Sequence, residues 1–434
     1  MKRMAYRNLL QWKDRSDHKP LLVQGARQVG KTYLIKEFGK AEYLDCVYFN
    51  FEEMPDAVTL FQSNLTPGPL VESLSAFAGR KINPSTTLMF FDEIQSCQRA
   101  LTSLKYFCEQ APEYHVIAAG SLLGVSIGKN SSFPVGKVEF LDLHPMSFLE
   151  YLESMDAALL REHLESKSDF TPLPDALHNR LMEMLRYYIF LGGMPAIVDN
   201  YVRNRDVQEA RRLQKEILDA FERDFSKYST SSEAIRISEI WQSIPTQLVR
   251  ENKKFLYSAV GKGARASRFE SAIEWLRRAG LILLASNLST VKFPLKAYVD
   301  NGKFKAYMLD TGLLGALVDT GPKAIVTGDR ILSEYNGALM ENFVATELIA
   351  GKNSQLYYWR SENIAEVDFV FGHDSRILPL EVKSGMSRET KSLRIFAAKF
   401  KSERIYRTSP RNFTADDDFV NIPLYAIQRF PGLS

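Results

Sequence analysis

The chain has 434 residues, where a single domain usually has about 100 to 200, so two or three domains are expected. Hydrophobic residues make up 45% and charged residues 25%, the proportions of an ordinary globular protein, which excludes a disordered or low-complexity chain. The 55 basic and 52 acidic side chains give a net charge of +3, but that charge is unevenly placed. Residues 139–178 hold nine acidic and two basic side chains, a net of −7. Residues 250–278 carry +5 and residues 378–411 carry +6. A basic block is either a solvated face or an attractor of polyanions, and two of them in the second half favour a nucleic-acid partner there. No apolar run approaches the roughly 18 residues that span a bilayer, and the first twenty residues carry charges where a leader peptide needs apolar ones. A cytoplasmic protein without a membrane partner is expected. Cys46, Cys97 and Cys108 form no CxxC pair, which argues against a disulfide scaffold or a zinc finger.

In chain order, residues 21–24, 47–51, 88–91, 116–120 and 138–143 are short apolar runs separated by amphipathic stretches. That alternation predicts a parallel sheet covered on both faces, an α/β domain over residues 1–165. An acidic helix is predicted over 148–164, followed by a loop at 166–175, where two prolines sit among small polar residues. Residues 233–248 and 268–279 have helical spacing, and 281–286, 296–300 and 304–309 read as strands. Helices followed by a short hairpin suggest a winged helix-turn-helix within a middle region, 166–330. From about Leu332 a long helix, the strands YYW, EVDFVF and ILPLEVK and a further helix make a separate α/β unit, 331–434.

Gly25-Ala26-Arg27-Gln28-Val29-Gly30-Lys31-Thr32 fits GxxxxGK[ST] between an apolar strand and the amphipathic YLIKEF. The glycines let successive backbone N–H groups face phosphates at a helix N-terminus, with Lys31 reaching the β and γ oxygens and the Thr32 hydroxyl serving Mg²⁺. In TTLMFFDEIQ a buried strand ends at Asp92, a second magnesium ligand, and Glu93 follows as the base that polarises the attacking water. Ser121 ends the next strand, either as a sensor of the γ-phosphate or as the cap of the following helix.

Near the C-terminus, Glu366-Val-Asp368 precedes Glu381-Val-Lys383, an ExK pattern. Alternate residues of a strand share a face, so Glu381 and Lys383 point the same way, and a neighbouring strand brings Asp368 beside them. Two carboxylates can hold Mg²⁺ against a scissile phosphate while the lysine orients water or steadies developing charge. Glu341, on ALMENFVATEL, adds a third acid. The alternative is an ordinary ion pair.

GARQVGKT, LMFFDEIQ, VIAAGSLLG, HPMSFLEYL, IFLGGMP, YMLDTGLLGAL, YYWRSENIAEVDFVF and LPLEVKSG together resemble a widespread prokaryotic family of AAA-type ATPases with a C-terminal domain of unknown function. The resemblance runs over nearly the whole chain. It implies an ATP-binding AAA domain, a winged-helix middle and a terminal domain related to PD-(D/E)xK nucleases, of restriction-endonuclease type. It implies ATP as the nucleotide, the roles given above for the phosphate loop, Asp92, Glu93 and Ser121, and a nuclease set of Asp368, Glu381 and Lys383 with Glu341 as helix acid. Val367 stands where the nuclease pattern has proline. Gly136-Lys137 stands where many relatives have Gly-Arg, which leaves an arginine finger unassigned; Arg223 is a substitute or a structural ion pair. Two functions follow. In one, ATP turnover gates contact with DNA, or its cleavage. In the other, the chain is a signalling or defence switch whose terminal domain binds a protein and whose carboxylates are relics.

Overall fold

The computed structural model describes residues 3–121, 133–250, 254–261, 265–321, 333–351, 353, 355–361, 365–387 and 389–432. They fall into two compact units, one of residues 2–144 with 278–280, the other of residues 145–277 with 281–434. The first division thus lies at 144/145, some way before the expected one at 165.

The first unit is built on five strands: β1 (Leu21–Gln24), β2 (Asp45–Asn50), β3 (Thr87–Asp92), β4 (His115–Gly120) and β5 (Glu139–Asp142). Their order is β2-β3-β4-β1-β5, and every neighbouring pair is parallel. Every residue of β3 and of β4 is buried, as central parallel strands covered on both faces require. Helices Pro55–Ser63, Pro67–Ala78 and Gln98–Gln110 pack Phe61, Leu70, Leu74, Leu104 and Phe107 against Phe49, Met89 and Phe91 of the sheet. The helix Pro67–Ala78 shows how local sequence sets its ends: proline opens it, needing no N–H partner, and Gly79 closes it at φ 67°. The five strands expected from the apolar runs are all present. The parallel register sets Asn50 beside Asp92 and Gln24 beside Gly120, so the carboxyl ends of β1 to β4 form one edge. In open α/β sheets that edge is where ligands bind.

The second unit begins with a helical layer. Its helices include Phe148–Ser154, Ala158–Ser166, Asp175–Leu191, Val207–Tyr228 and Ser231–Val249. The single helix expected over 148–164 is two, broken at residues 155–157. The first of the two opens with a capping box between Ser147 and Glu150. After the helix Ala266–Arg278 come β6 (Ile282–Leu288) and β7 (Val299–Met308), an antiparallel pair with a register shift at Ser286/Asn287. Residues 296–300 and 304–309, expected as two strands, form β7 and the short 3₁₀ turn before it.

The later strands are β8 (Leu356–Arg360), β9 (Glu366–Val367), β10 (Phe369–His373), β11 (Arg376–Val382), β12 (Ile405–Ser409), β13 (Thr414–Ala415) and β14 (Phe419–Pro423). They form two sheets, β7-β6-β8-β9 and β10-β11-β12-β14-β13. Because β8 pairs in parallel with β6, the expected two-stranded wing is built into a four-stranded sheet. Strands from both sides of residue 330 therefore share one sheet. The physical reason is that an unpaired edge on β6 would leave backbone polar groups open, and β8 satisfies them. Asp368 lies between β9 and β10, where the chain leaves one sheet for the other.

No helix among the described residues is long and apolar enough to cross a membrane. The three cysteines are free thiols, Cys97 buried and Cys46 and Cys108 partly so. Burial pushes the Cys46 thiol up to about 11, away from reactivity at neutral pH.

Candidate active site

The phosphate loop leaves β1 at Gly25, whose φ is 151° and where a Cβ would stand 2.1 Å from the Leu143 carbonyl oxygen. No other residue fits there. Gly30, at φ 92°, turns the chain into the helix Lys31–Glu42, whose first N–H groups receive no side-chain cap. Those uncapped donors and the helix dipole are what an anion finds at this edge. Gln28 also has a left-handed backbone, φ 67°, while Ala26 and Val29 are buried, Arg27 is half-buried and Gln28 is exposed. Arg3 buttresses the loop, donating to the Val29 carbonyl at 2.9 Å and the His144 carbonyl at 2.6 Å.

Lys31 is 6% exposed, and its ammonium donates to the carbonyls of Gly25 at 3.0 Å and Ala26 at 2.8 Å. Burial lowers its pKa to about 8, although Glu93 and Asp92 oppose the shift. A phosphate would supply the negative charge the carbonyls lack. The Thr32 hydroxyl donates to Asp92 Oδ2 at 2.7 Å, so the two expected magnesium ligands already share one point. Tyr48 donates to the same carboxylate oxygen at 3.1 Å, and Asn50 Nδ2 in turn donates to the Tyr48 hydroxyl at 3.3 Å. Burial and the neighbouring Asp92 push the Tyr48 pKa up, which keeps it a donor. These residues fit Mg²⁺ and a nucleoside triphosphate: a glycine cradle, a lysine on exchangeable partners, and a hydroxyl paired with a carboxylate.

Glu93 has φ 49° and ψ 46°, a strained backbone for a residue with a side chain, costing about 1–3 kcal/mol. That turn ends β3 and aims the carboxylate along the sheet edge. The Ser121 hydroxyl, from the end of β4, donates to Glu93 Oε2 at 3.3 Å, and Gln95 Nε2 donates to the same oxygen. Ser121 therefore holds the base expected to polarise water. Its alternative role as a helix cap concerns residues 122–132, which lie outside the described residues, as does the whole LLG of VIAAGSLLG. Tyr48, Asn50, Gln95 and Arg3 escaped sequence reasoning because each is an ordinary residue made relevant by register or by long-range contact. Lys137 pairs with Glu109 at 2.9 Å, and Arg223 is exposed on the helix Val207–Tyr228.

The motifs shared by the middle and the C-terminal region prove to be mutual packing. Asp310 caps the helix Thr311–Leu317 through Leu313 N–H at 2.9 Å and accepts Gly193 N–H at 2.6 Å. A Cβ on Gly192 would stand 2.1 Å from Asp310 Oδ1, and one on Gly193 would stand 1.9 Å from the Met146 carbonyl oxygen. Burial pushes Asp310 up to about 6. Glu347 accepts from Phe148 N–H at 2.9 Å and from the Tyr188 hydroxyl at 3.2 Å, and burial pushes it up to about 8.

A lysine outside the ExK spacing stands among the terminal carboxylates. Lys305 of β7 is wholly buried, with its ammonium 2.9 Å from Glu341 Oε1, 2.6 Å from Glu366 Oε1 and 3.5 Å from Asp368 Oδ1. The Tyr307 hydroxyl donates to Glu341 Oε1 at 2.6 Å, and Asp368 Oδ2 accepts Val382 N–H at 2.9 Å. Glu381 pairs with Lys383 at 2.8 Å, and its Oε2 is buried without a hydrogen-bond partner. Burial works to lower the Lys305 pKa, but Glu341 and the other acids outweigh it and hold the ammonium charged. Among the described residues no group of three or more His, Cys, Asp or Glu side chains could hold a metal ion. Glu341, Asp368 and Glu381 thus do not, as they stand, fit magnesium. Lys305 and Glu366 were missed because no spacing rule links a strand lysine at 305 to acids beyond 340.

The aromatic residues interleaved with the +5 block do not form a stacking platform. Phe255 is buried and stacked on Phe304 with ring centroids 5.2 Å apart, Phe269 is buried, and Tyr257 is half-buried. Arg265 and Arg268 are exposed, and Arg277 pairs with Glu274 at 2.7 Å. In the +6 block Arg407 is buried against Asn421 and Ser387, while Arg394 pairs with Asp418.

Residues 17–152 match a family model described as an AAA domain. Residues 182–324 match a domain of unknown function, DUF8612, and residues 336–427 another, DUF4143. No curated protein matches the chain. Among solved structures, a Walker-type ATPase of Pyrococcus abyssi is similar at 15% identity, over 72% of this chain and 94% of that one, with a TM-score of 0.46. The ORC1 protein of Aeropyrum pernix, solved in complex with DNA, shares 13% identity over 76% of this chain and 94% of its own, with a TM-score of 0.30. Cdc6p of Pyrobaculum aerophilum shares 12% over 75% and 94%, with a TM-score of 0.28. The phosphate loop, the parallel sheet and the family match agree that residues 17–152 are an AAA-type P-loop ATPase domain.

Proposed function

We propose that the chain is a Mg²⁺-dependent ATP hydrolase whose nucleotide state governs what its second unit binds, with DNA the first candidate. The observation that carries the reading is the line of polar groups along one sheet edge: Lys31 on exchangeable carbonyls, Thr32 on Asp92, and Glu93 held by Ser121 and Gln95. Bound magnesium would screen the phosphate charge. With nucleotide bound, Lys31 would move from the loop carbonyls to phosphate oxygens, Thr32 and Asp92 would hold the metal, and Glu93 would take the proton of the attacking water. Ser121 and Gln95 bind the Glu93 oxygen that must do this, so their release or retention sets when hydrolysis begins. ATP rather than another triphosphate rests on the family resemblance.

DNA is favoured by the net +5 over residues 250–278, where Arg265 and Arg268 are exposed and suited to phosphate contacts. The test is ATP hydrolysis with and without DNA, run beside Glu93→Gln, together with DNA binding by Arg265→Ala/Arg268→Ala. Stimulation by DNA and weaker, less salt-dependent binding by the double variant are expected. Turnover indifferent to DNA, with binding unchanged in the variant, would transfer the reading to a protein partner. Two observations favour that second reading: the buried aromatics of the same block, and the terminal carboxylates already matched by lysines.

A further inference from the structure

We infer that Lys305 is the resident cation of the terminal carboxylate cluster, that its ammonium takes the place of a divalent metal, and that the terminal unit does not cut phosphodiesters. Three acids converge on one buried nitrogen, at 2.9, 2.6 and 3.5 Å, and they come from a helix, from β9 and from the junction after it. Glu341 is shared further with Tyr307, and Asp368 spends its second oxygen on the backbone of β11. Gathering the buried Glu341 and the half-buried Glu366 and Asp368 without a cation would be costly, and an ammonium fixed on a strand meets that need without dehydrating an ion. A divalent metal seated among the same oxygens would meet a positive charge within about 3 Å, which repels it strongly in a low-dielectric interior. Glu381 Oε2 is the acceptor of this set left without a partner, and one oxygen is a poor magnesium site. The inference concerns the terminal unit alone and stands whether or not ATP turnover is coupled to DNA.

The test is a Mn²⁺ titration of nucleotide-free full chain, followed by electron paramagnetic resonance, for wild type, Asp368→Asn and Lys305→Met. The wild type and Asp368→Asn should bind Mn²⁺ alike, and folded Lys305→Met should gain a bound Mn²⁺ that a second change, Glu341→Gln, removes. Wild-type binding that Asp368→Asn abolishes would overturn the inference, as would a folded Lys305→Met that gains nothing. Should Lys305→Met fail to fold, the wild-type comparison decides alone. Plasmid DNA incubated with the wild type and Mn²⁺ should stay intact; nicks lost in Asp368→Asn would also overturn it.

Discussion

Two buried lysines stand at the two candidate sites, and they differ in what holds them. Lys31 rests on two backbone carbonyls, uncharged acceptors that a phosphate can replace, and burial has already lowered its pKa to about 8. Lys305 rests on three carboxylates, and they raise its pKa against the effect of burial. The first ammonium touches only uncharged acceptors among the described residues and is ready for an anionic ligand. The second is neutralised several times over and has nothing to offer one. A lysine in a polar cluster therefore signals binding only when its partners are neutral.

The strongest way to break this comparison is Lys31→Ala, which should abolish nucleotide binding measured with a fluorescent ATP analogue; retained binding would remove the phosphate-loop assignment. Next, Glu93→Gln should bind ATP normally yet hydrolyse it about 10²–10⁴-fold more slowly, as loss of a general base does. Equal turnover in steady-state assays would assign the base elsewhere. Lys305→Met should destabilise the second unit by about 3–5 kcal/mol, because the buried Glu341 and the half-buried Glu366 and Asp368 lose their cation. Urea unfolding that is unchanged from wild type would show that the ion cluster does not hold these strands.

Smaller effects come from pH. ATP binding should take up protons between pH 8 and 9, since phosphate raises the pKa of Lys31 from about 8 and recharges it. Calorimetry in buffers of different ionisation enthalpy reads this, and no buffer dependence would contradict it. For Glu347 the folded pKa, about 8, lies above the ordinary carboxylate value, so the folded state binds more protons than the unfolded one. Its contribution is fully present below about pH 4.5 and is lost as pH rises through 8. Glu347→Gln should flatten that part of the stability profile in thermal melts, whereas an unaltered slope would assign the titration to other groups.

Much of the first unit was legible in the sequence. Apolar runs in β1, β3 and β4 had to be buried parallel strands, and Gly25 and Gly30 mark backbone positions that only glycine fills without strain. Local rules suffice there because the phosphate loop is a contiguous segment. The second unit was read less well. The hairpin β6–β7 resembled a free wing, but β8, some seventy residues later, pairs with β6. YMLDTGLLGAL and IFLGGMP stood out as motifs, and their purpose is to fit Asp310 against Gly192 and Gly193.

By itself the sequence determined where the phosphate-loop and acidic-strand patterns of the first unit lie: phosphate binding needs a glycine-lysine loop and hydrolysis an acidic strand end, both of them short patterns. Only the tertiary structure decided the state of the terminal acids. Glu341 and Asp368 read as metal ligands or ion-pair partners until Lys305 of β7 is placed between them and Glu366. The physical reason is range: a carboxylate's role is set by the nearest opposite charge in a poorly screening interior, and that neighbour lies on a strand that sequence spacing does not connect to it.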